Sequence, residues 1–247
     1  MRRETAVIVT RPEEDAMRLI SAIEARGMRA VNSPLMTIEE NDATVSLDGV
    51  AALAFTSANG VRAFEAKSDE RGLPAFAVGG ATGDALKAAG FRRIYAAAGD
   101  VVSLADLIKS VYGIEIAFGA ILHLAGTHRK GDLVKELNDR AVPAARTVIY
   151  EATPAAALAP AAIAAIDSLE ASDAPIQVAF FSPRTARLFV DALRAGGRID
   201  RTKDLVATCL SANVAAAAQA AIGSSAWREI RIAEKPTATA LIDALER

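Results

Sequence analysis

Short apolar runs and amphipathic stretches alternate along the whole chain. The run Ala52-Leu53-Ala54-Phe55 stops at Thr56-Ser57, and a helical pattern with Val61 and Phe64 inward follows at once. Such a junction reads as a buried strand, a tight turn and the first turn of a helix. It recurs at Val178-Ala179-Phe180-Phe181-Ser182-Pro183-Arg184-Thr185, ahead of a helix with Thr185, Leu188, Phe189, Ala192 and Leu193 on one face. Hydroxyl and amide side chains there can satisfy the open N–H groups of a helix start. The same N–H groups, together with the positive helix end, suit an anion.

The pattern predicts further strands over residues 6–9, 28–32, 75–78, 93–96, 120–124, 145–150, 205–209 and 229–232. Helices are predicted from Pro12, after Gly79-Gly80-Ala81-Thr82, from a Ser103 cap, around Leu133 and Leu137, in the Ala-rich 155–165 stretch, from Ser211 and from Pro236-Thr237. Leu35–Glu39 and Val148–Thr153 read as extended connectors. Residues 6–35 and 120–152 are copies of one strand–helix–strand block, and 50–112 and 177–246 are copies of another. Repetition of this kind argues for two related domains. Alternating strands and helices argue for an α/β fold, two similar doubly wound parallel sheets with helices on both faces. The chain can split once near residue 117, or one domain can be inserted into the other. Both connectors leave the second strand of the same repeated block, where they can run side by side as a two-stranded link, and this favours insertion. The expected domains are 1–35 plus 154–247 and an inserted 40–147, with connectors 36–39 and 148–153.

Composition removes several function classes. The chain has 247 residues, 52% hydrophobic and 23% charged, with a net charge of −2. A core is therefore within reach, and a general nucleic-acid binder is disfavoured. The single cysteine, Cys209, excludes an internal disulfide, fits a reducing cytoplasm and reads as a small buried residue. No apolar run approaches a membrane span, and residues 1–5 lead into the first strand without a signal-like region. Aromatic content of 5%, with no apolar surface stripe, points to a monomer. Two histidines and one cysteine make no metal set. His123 reads as a core histidine and His128 as a solvated loop residue. Gly126-Thr127-His128-Arg129-Lys130-Gly131 imitates a P-loop, but Asp132-Leu133 stand where Lys-Ser/Thr is needed.

Val9-Thr10-Arg11-Pro12, Pro34-Leu35, Phe55-Thr56-Ser57-Ala58-Asn59-Gly60-Val61 and Ala77-Val78-Gly79-Gly80-Ala81-Thr82, with Ala85-Leu86 and Gly90-Phe91 behind it, follow one another along the chain. In these pieces, over nearly its whole length, the chain resembles the uroporphyrinogen-III synthase family. Tyr150, Phe181-Ser182-Pro183-Arg184-Thr185-Ala186 and Lys235-Pro236-Thr237 complete the resemblance, and the order and spacing of the pieces give it its force. The chain departs from the family at Cys209-Leu210-Ser211-Ala212, where a Gly-Pro-Thr-Thr type of turn is common.

The resemblance implies an inter-domain cleft and a hydro-lyase that closes hydroxymethylbilane, inverting the last pyrrole and releasing water. It implies no cofactor and no metal. The partner is then a small polyanionic linear tetrapyrrole, rather than a nucleic acid or a membrane. Such a substrate calls for donors at the strand ends, and the candidates are Thr10, Arg11, Thr56, Ser57, Asn59, Gly79, Gly80, Thr82, Gly126, Thr127, Arg129, Ser182, Arg184, Thr185 and Ser211. Tyr150 is the candidate proton donor, since a phenol is protonated at neutral pH; His128 is the rival acid, and the resemblance points to the tyrosine position. Any one of these hydroxyls reads first as a helix cap and second as a ligand, and Tyr150 can serve only to pack the connector. The competing function is a non-catalytic tetrapyrrole- or anion-binding regulatory module of the same fold. A generic carbohydrate or nucleotide binder stands third.

Overall fold

The structure is a computed structural model that describes residues 5–128, 131–168 and 175–247. It divides into two compact units, Met1–Thr37 with Thr153–Arg247 (unit 1) and Ile38–Ala152 (unit 2).

In unit 1, β1 (Ala6–Val9), α1 (Glu13–Glu24) and β2 (Arg29–Asn32) come from the start of the chain. In unit 2, β4 (Val50–Phe55), α2 (Ala58–Glu65), β5 (Ala75–Ala77), α3 (Gly80–Ala88), β6 (Ile94–Ala96) and α4 (Val101–Val111) precede β7 (Ala120–Gly126) and α5 (Leu133–Asn138). Two extended segments, β3 (Met36–Glu40) and the longer β8 (Ala144–Pro154), cross from one unit to the other. Unit 1 then resumes with α6 (Pro160–Asp167), β9 (Ile176–Phe180), α7 (Pro183–Ala195), β10 (Leu205–Cys209), α8 (Ala212–Ile222), β11 (Glu229–Ile232) and α9 (Ala238–Leu245).

The sheet orders are β11-β10-β9-β1-β2 and β3-β8-β7-β4-β5-β6. Apart from the added β3, the two follow one plan. The strand pair β1–β2, or β7–β8, lies beside a strand trio, β9–β11 or β4–β6. The trio precedes the pair in the chain of unit 2 and follows it in unit 1. All the recorded pairings of these ten strands are parallel. Parallel strands need cover on both faces, and they have it. In unit 1, α6, α7 and α8 pack on one face, where Phe180 meets Phe189 and Trp227 edge to face, and α1 and α9 pack on the other. In unit 2, α2 and α3 cover Leu53, Phe55, Leu122 and Leu124, while α4 and α5 cover Ala52, Ala54 and Ile121.

The link between the units is two-stranded. Leu35 O accepts from Ala155 N at 3.0 Å, and Ile149 O accepts from Asn41 N at 3.3 Å. One index rises by six while the other falls by six, so β3 and β8 pair antiparallel. The cap of α4 differs from expectation. Asp100, rather than Ser103, caps α4. Its carboxylate accepts from Ser103 N at 2.8 Å, while the Ser103 hydroxyl accepts from Asp100 N, so the serine is the inner half of a capping box.

A polar cluster interrupts the apolar interior of unit 1. Gln177, 2% exposed on β9, donates to Leu245 O at 2.6 Å, and its carbonyl accepts from the Thr208 hydroxyl at 2.9 Å. It thus ties α9 and β10 to the central strand. Replacing it with leucine strands a buried hydroxyl and a helix-end carbonyl, each costing about 1–3 kcal/mol. Gln177→Leu is expected to lower stability by at least the smaller of these amounts in urea unfolding. An unchanged midpoint would show that the cluster contributes nothing.

Candidate functional site

Where strand order reverses in a parallel sheet, adjacent loops leave in opposite directions and open a crevice at the carboxyl ends. Each unit has such a point, between β4 and β7 in unit 2 and between β1 and β9 in unit 1.

At the unit 2 point, Ser57 caps α2, its hydroxyl accepting from Asn59 N at 3.2 Å. Asn59 in turn holds the Arg62 guanidinium through its side-chain oxygen. Gly60, in the first turn, sits so close to β7 that a Cβ there would lie 2.9 Å from Leu124 O and 3.7 Å from the Tyr150 ring. Tyr150 reaches this spot because the β7–β8 register shifts between Ala125 and Gly126, which pairs Gly126 with Tyr150. Its ring then lies against Gly126, where a Cβ would meet it at 2.5 Å. Only a glycine admits that approach.

Tyr150 is 8% exposed. Burial pushes its phenol above the ordinary 10.0, against opposing contributions from the Ser57 side chain, the Gly126 backbone, and the charges of Arg146 and Arg62. The phenol therefore stays protonated at neutral pH, with donors and positive charge beside its oxygen. Arg146 also donates to Gly126 O and, at 3.4 Å, to Thr127 O, which anchors the end of β7. On the opposite face of the sheet, the Thr56 hydroxyl is 3.1 Å from Nε2 of His123, itself 6% exposed. His123 is thus a core histidine by burial and a neighbour of the strand-end hydroxyl by contact. Thr127 is exposed beyond β7, and Arg129 lies outside the described residues. At the end of β5, Gly79 is the extended cap residue of α3, Gly80 is exposed in the first turn and Thr82 is buried.

The unit 1 point is built from similar parts used differently. Thr10, 1% exposed, donates to Ala179 O at 2.8 Å, so its hydroxyl ties β1 to β9. Arg11 lies over the Phe181 ring at 4.5 Å and pairs with Asp15 at 2.8 Å. Ser182 caps α7 and exchanges contacts with Thr185, whose hydroxyl donates to Ser182 O at 2.9 Å. Arg184 is half-buried in the same turn. Ser211 stands at the start of α8 without a capping hydrogen bond from its side chain. The structure therefore gathers Thr56, Ser57, Asn59, Gly126 and Tyr150 at one edge, and Thr10, Arg11, Ser182, Arg184 and Thr185 at another. Arg62, Arg146, Gly60 and His123 join the first group without having been candidates. Charge placed one helical turn from the junction is the signal that could have singled out Arg62; Gly60 stood in the motif over residues 55–61 without a role of its own, and nothing local gives a role to Arg146 or His123.

Cys209 holds less promise for chemistry. Burial pushes the Cys209 thiol up to about 12, so it is not a nucleophile at neutral pH. Among the described residues, no group of three or more His, Cys, Asp or Glu is arranged to hold a metal ion. No helix among them is long and apolar enough to cross a membrane.

A family model described as uroporphyrinogen-III synthase HemD matches residues 17–243. No curated protein matches the chain. Among solved structures, the chain is similar to the uroporphyrinogen-III synthetase of Helicobacter pylori 26695, with 15% identity, 98% of each chain covered and a TM-score of 0.64. It is also similar to a mutant uroporphyrinogen III synthase from the extremely thermophilic bacterium Thermus thermophilus, with 16% identity, 98% of this chain and 99% of that one covered, and a TM-score of 0.54.

The contact between Gly126 and the Tyr150 ring can be tested through size alone. Gly126→Ala is expected to force the ring out of place and to lower stability by about 1–3 kcal/mol, as overpacking does. Thermal unfolding and near-ultraviolet circular dichroism read both effects. Wild-type values in both would contradict the close approach.

Proposed function

The chain belongs to the uroporphyrinogen-III synthase family, so its reaction is the closure of hydroxymethylbilane with inversion of the last pyrrole and loss of water, and we propose that Tyr150 supplies the proton for that loss. The observation that carries the proposal is the setting of the phenol. It is a buried, protonated donor at a strand-order reversal, with Ser57, the Gly126 backbone, Arg146 and Arg62 around its oxygen.

The C–O bond of the hydroxymethyl group breaks, and the departing oxygen takes the Tyr150 proton and leaves as water. The neighbours that oppose the burial shift then face the phenolate, and they are the groups suited to its charge. The methylene carbon so freed bonds to the substituted α-carbon of the last pyrrole. The bond from that carbon to its own bridging methylene then breaks and re-forms at the other α-carbon, which inverts the ring, and the proton that this second α-carbon gives up restores the phenol. The remaining acceleration comes from bringing two ends of a flexible chain together.

For the carboxylates of the substrate, the proposed ligands in unit 2 are Thr56, Ser57, Asn59, Gly79, Gly80, Thr82, Gly126, Thr127 and Arg129. In unit 1 they are Thr10, Arg11, Ser182, Arg184, Thr185 and Ser211. Backbone N–H groups at these positions contribute as much as side chains. The Thr10 hydroxyl already donates to Ala179 O, so Thr10 would act through its backbone. A monomeric, cytoplasmic enzyme that binds neither nucleic acid nor membrane completes the proposal, in keeping with the net charge of −2.

Tyr150→Phe keeps the ring and removes the proton. Turnover is expected to fall about 10²–10⁴-fold, with folding stability unchanged, when freshly made hydroxymethylbilane is supplied and type III product is separated from spontaneous type I. Near-normal turnover in Tyr150→Phe with severe loss in Tyr150→Ala would make the residue structural. The pH dependence has a definite sign. Because the phenol is raised above 10.0, its donor capacity is complete at neutral pH and is lost only as pH climbs through that raised value. The contribution of the shift to stability also disappears on the alkaline side, above the unfolded value of about 10. An activity loss between pH 7 and 9 that vanishes in Tyr150→Phe would contradict this.

A further inference from the structure

His123 and Thr56 make a contact that neither the fold nor the proton donor requires. They come from neighbouring strands, where His123 pairs with Ala54 and the next residue, Leu124, with Phe55. Thr56, one residue beyond β4, leans back along the face of the sheet that α4 and α5 cover. Ser57 takes the capping role at α2, so the Thr56 hydroxyl is left to the imidazole, at 3.1 Å from Nε2. The histidine is 6% exposed, whereas Thr56 is half-buried at the carboxyl edge.

A threonine hydroxyl has one proton and two lone pairs, and an imidazole nitrogen either carries a proton or accepts one. If Nε2 accepts, it uses the only proton of Thr56, and lone pairs alone remain for anything outside. A carboxylate approaching them is repelled. If Nε2–H donates, the proton of Thr56 is free to turn outward and meet a carboxylate. The tautomer of His123 therefore decides whether Thr56 attracts or repels an anionic substrate.

We propose that His123 is a positioning residue that keeps its proton on Nε2, donates to Thr56 Oγ1 and so presents the hydroxyl proton of Thr56 to a carboxylate of the substrate. The inference rests on the reading of Thr56 as a substrate ligand, and it predicts a protonation state that can be observed without substrate.

The chain has two histidines, so its imidazole ¹⁵N spectrum is simple, and a His128→Gln sample assigns it. A protonated Nε2 on His123, in a neutral or a charged ring, is expected. A pyridine-like Nε2 with the proton on Nδ1 would overturn the proposal. In kinetics, His123→Leu is expected to raise KM for hydroxymethylbilane roughly 10-fold, the scale of one hydrogen bond to a charged group, while kcat stays within about threefold. His123→Gln, whose amide N–H can replace Nε2–H, is expected to recover most of the loss. An unchanged KM in a folded His123→Leu protein, or no recovery in a folded His123→Gln protein, would also overturn it. If His123→Leu does not fold, the spectrum of the wild-type protein decides alone. Failure of the wild type to make type III product would instead sink the functional reading, and the tautomer measurement would still judge the contact.

Discussion

The structure depends on two seams between parallel strands, β1 against β9 and β4 against β7. Each joins a strand pair to a strand trio from a different part of the chain, and each lies where the sheet order reverses. The unit 1 seam is the more demanding, since the Thr10–Ala179 bond spans 169 residues of sequence. Without these seams neither sheet is complete, and the apolar faces under α1, α7, α2 and α4 have nothing to rest on. The same reversal that completes each sheet also parts the loops above it, so the requirement for a core and the location of the candidate site have one origin.

The two edges are equipped differently. In unit 2 the register shift at Gly126 turns Tyr150 inward, and glycines at 60 and 126 make room for its ring. The phenol is thereby buried enough to hold its proton, yet set beside groups that tolerate its loss. In unit 1 the corresponding hydroxyls are largely spent on structure. Thr10 bonds across the seam, Ser182 and Thr185 bond to each other, and Arg11 is held by Asp15 and Phe181. That leaves backbone N–H groups and guanidinium charge as what this edge offers to an anion.

Much of this was legible in the sequence, because period and punctuation are local. The apolar runs that stop at Thr56-Ser57 and at Phe181-Ser182 mark strand, cap and helix within a few residues, and parallel sheets with helices on both faces follow from their alternation. The misread cap shows the limit even there. Asp100 and Ser103 form one reciprocal device, and spacing alone does not say which residue is the outer half. What was not legible depends on register across strands. His123 looks like any buried mid-strand residue until β4 is laid beside it. Gly126 looks like a loop glycine until the one-residue shift brings the Tyr150 ring over it. The engagement of Thr10 with Ala179 is equally invisible from either segment alone.

The different chain order of the two units has a consequence for synthesis. Unit 2 is a continuous stretch, complete once the ribosome has passed Ala152. Unit 1 begins first and finishes last. Its opening segment, β1-α1-β2, emerges with Val7, Ile8 and Val9, all fully buried in the finished protein, still lacking their partner on β9. That strand edge has to wait through the making of the whole inserted unit, and during the wait it is a template for any other extended chain. The nascent protein thus carries an unpaired strand edge on a segment made before the inserted unit, and the stretch of translation between β2 and β9 is the period in which a chaperone would have that edge to protect.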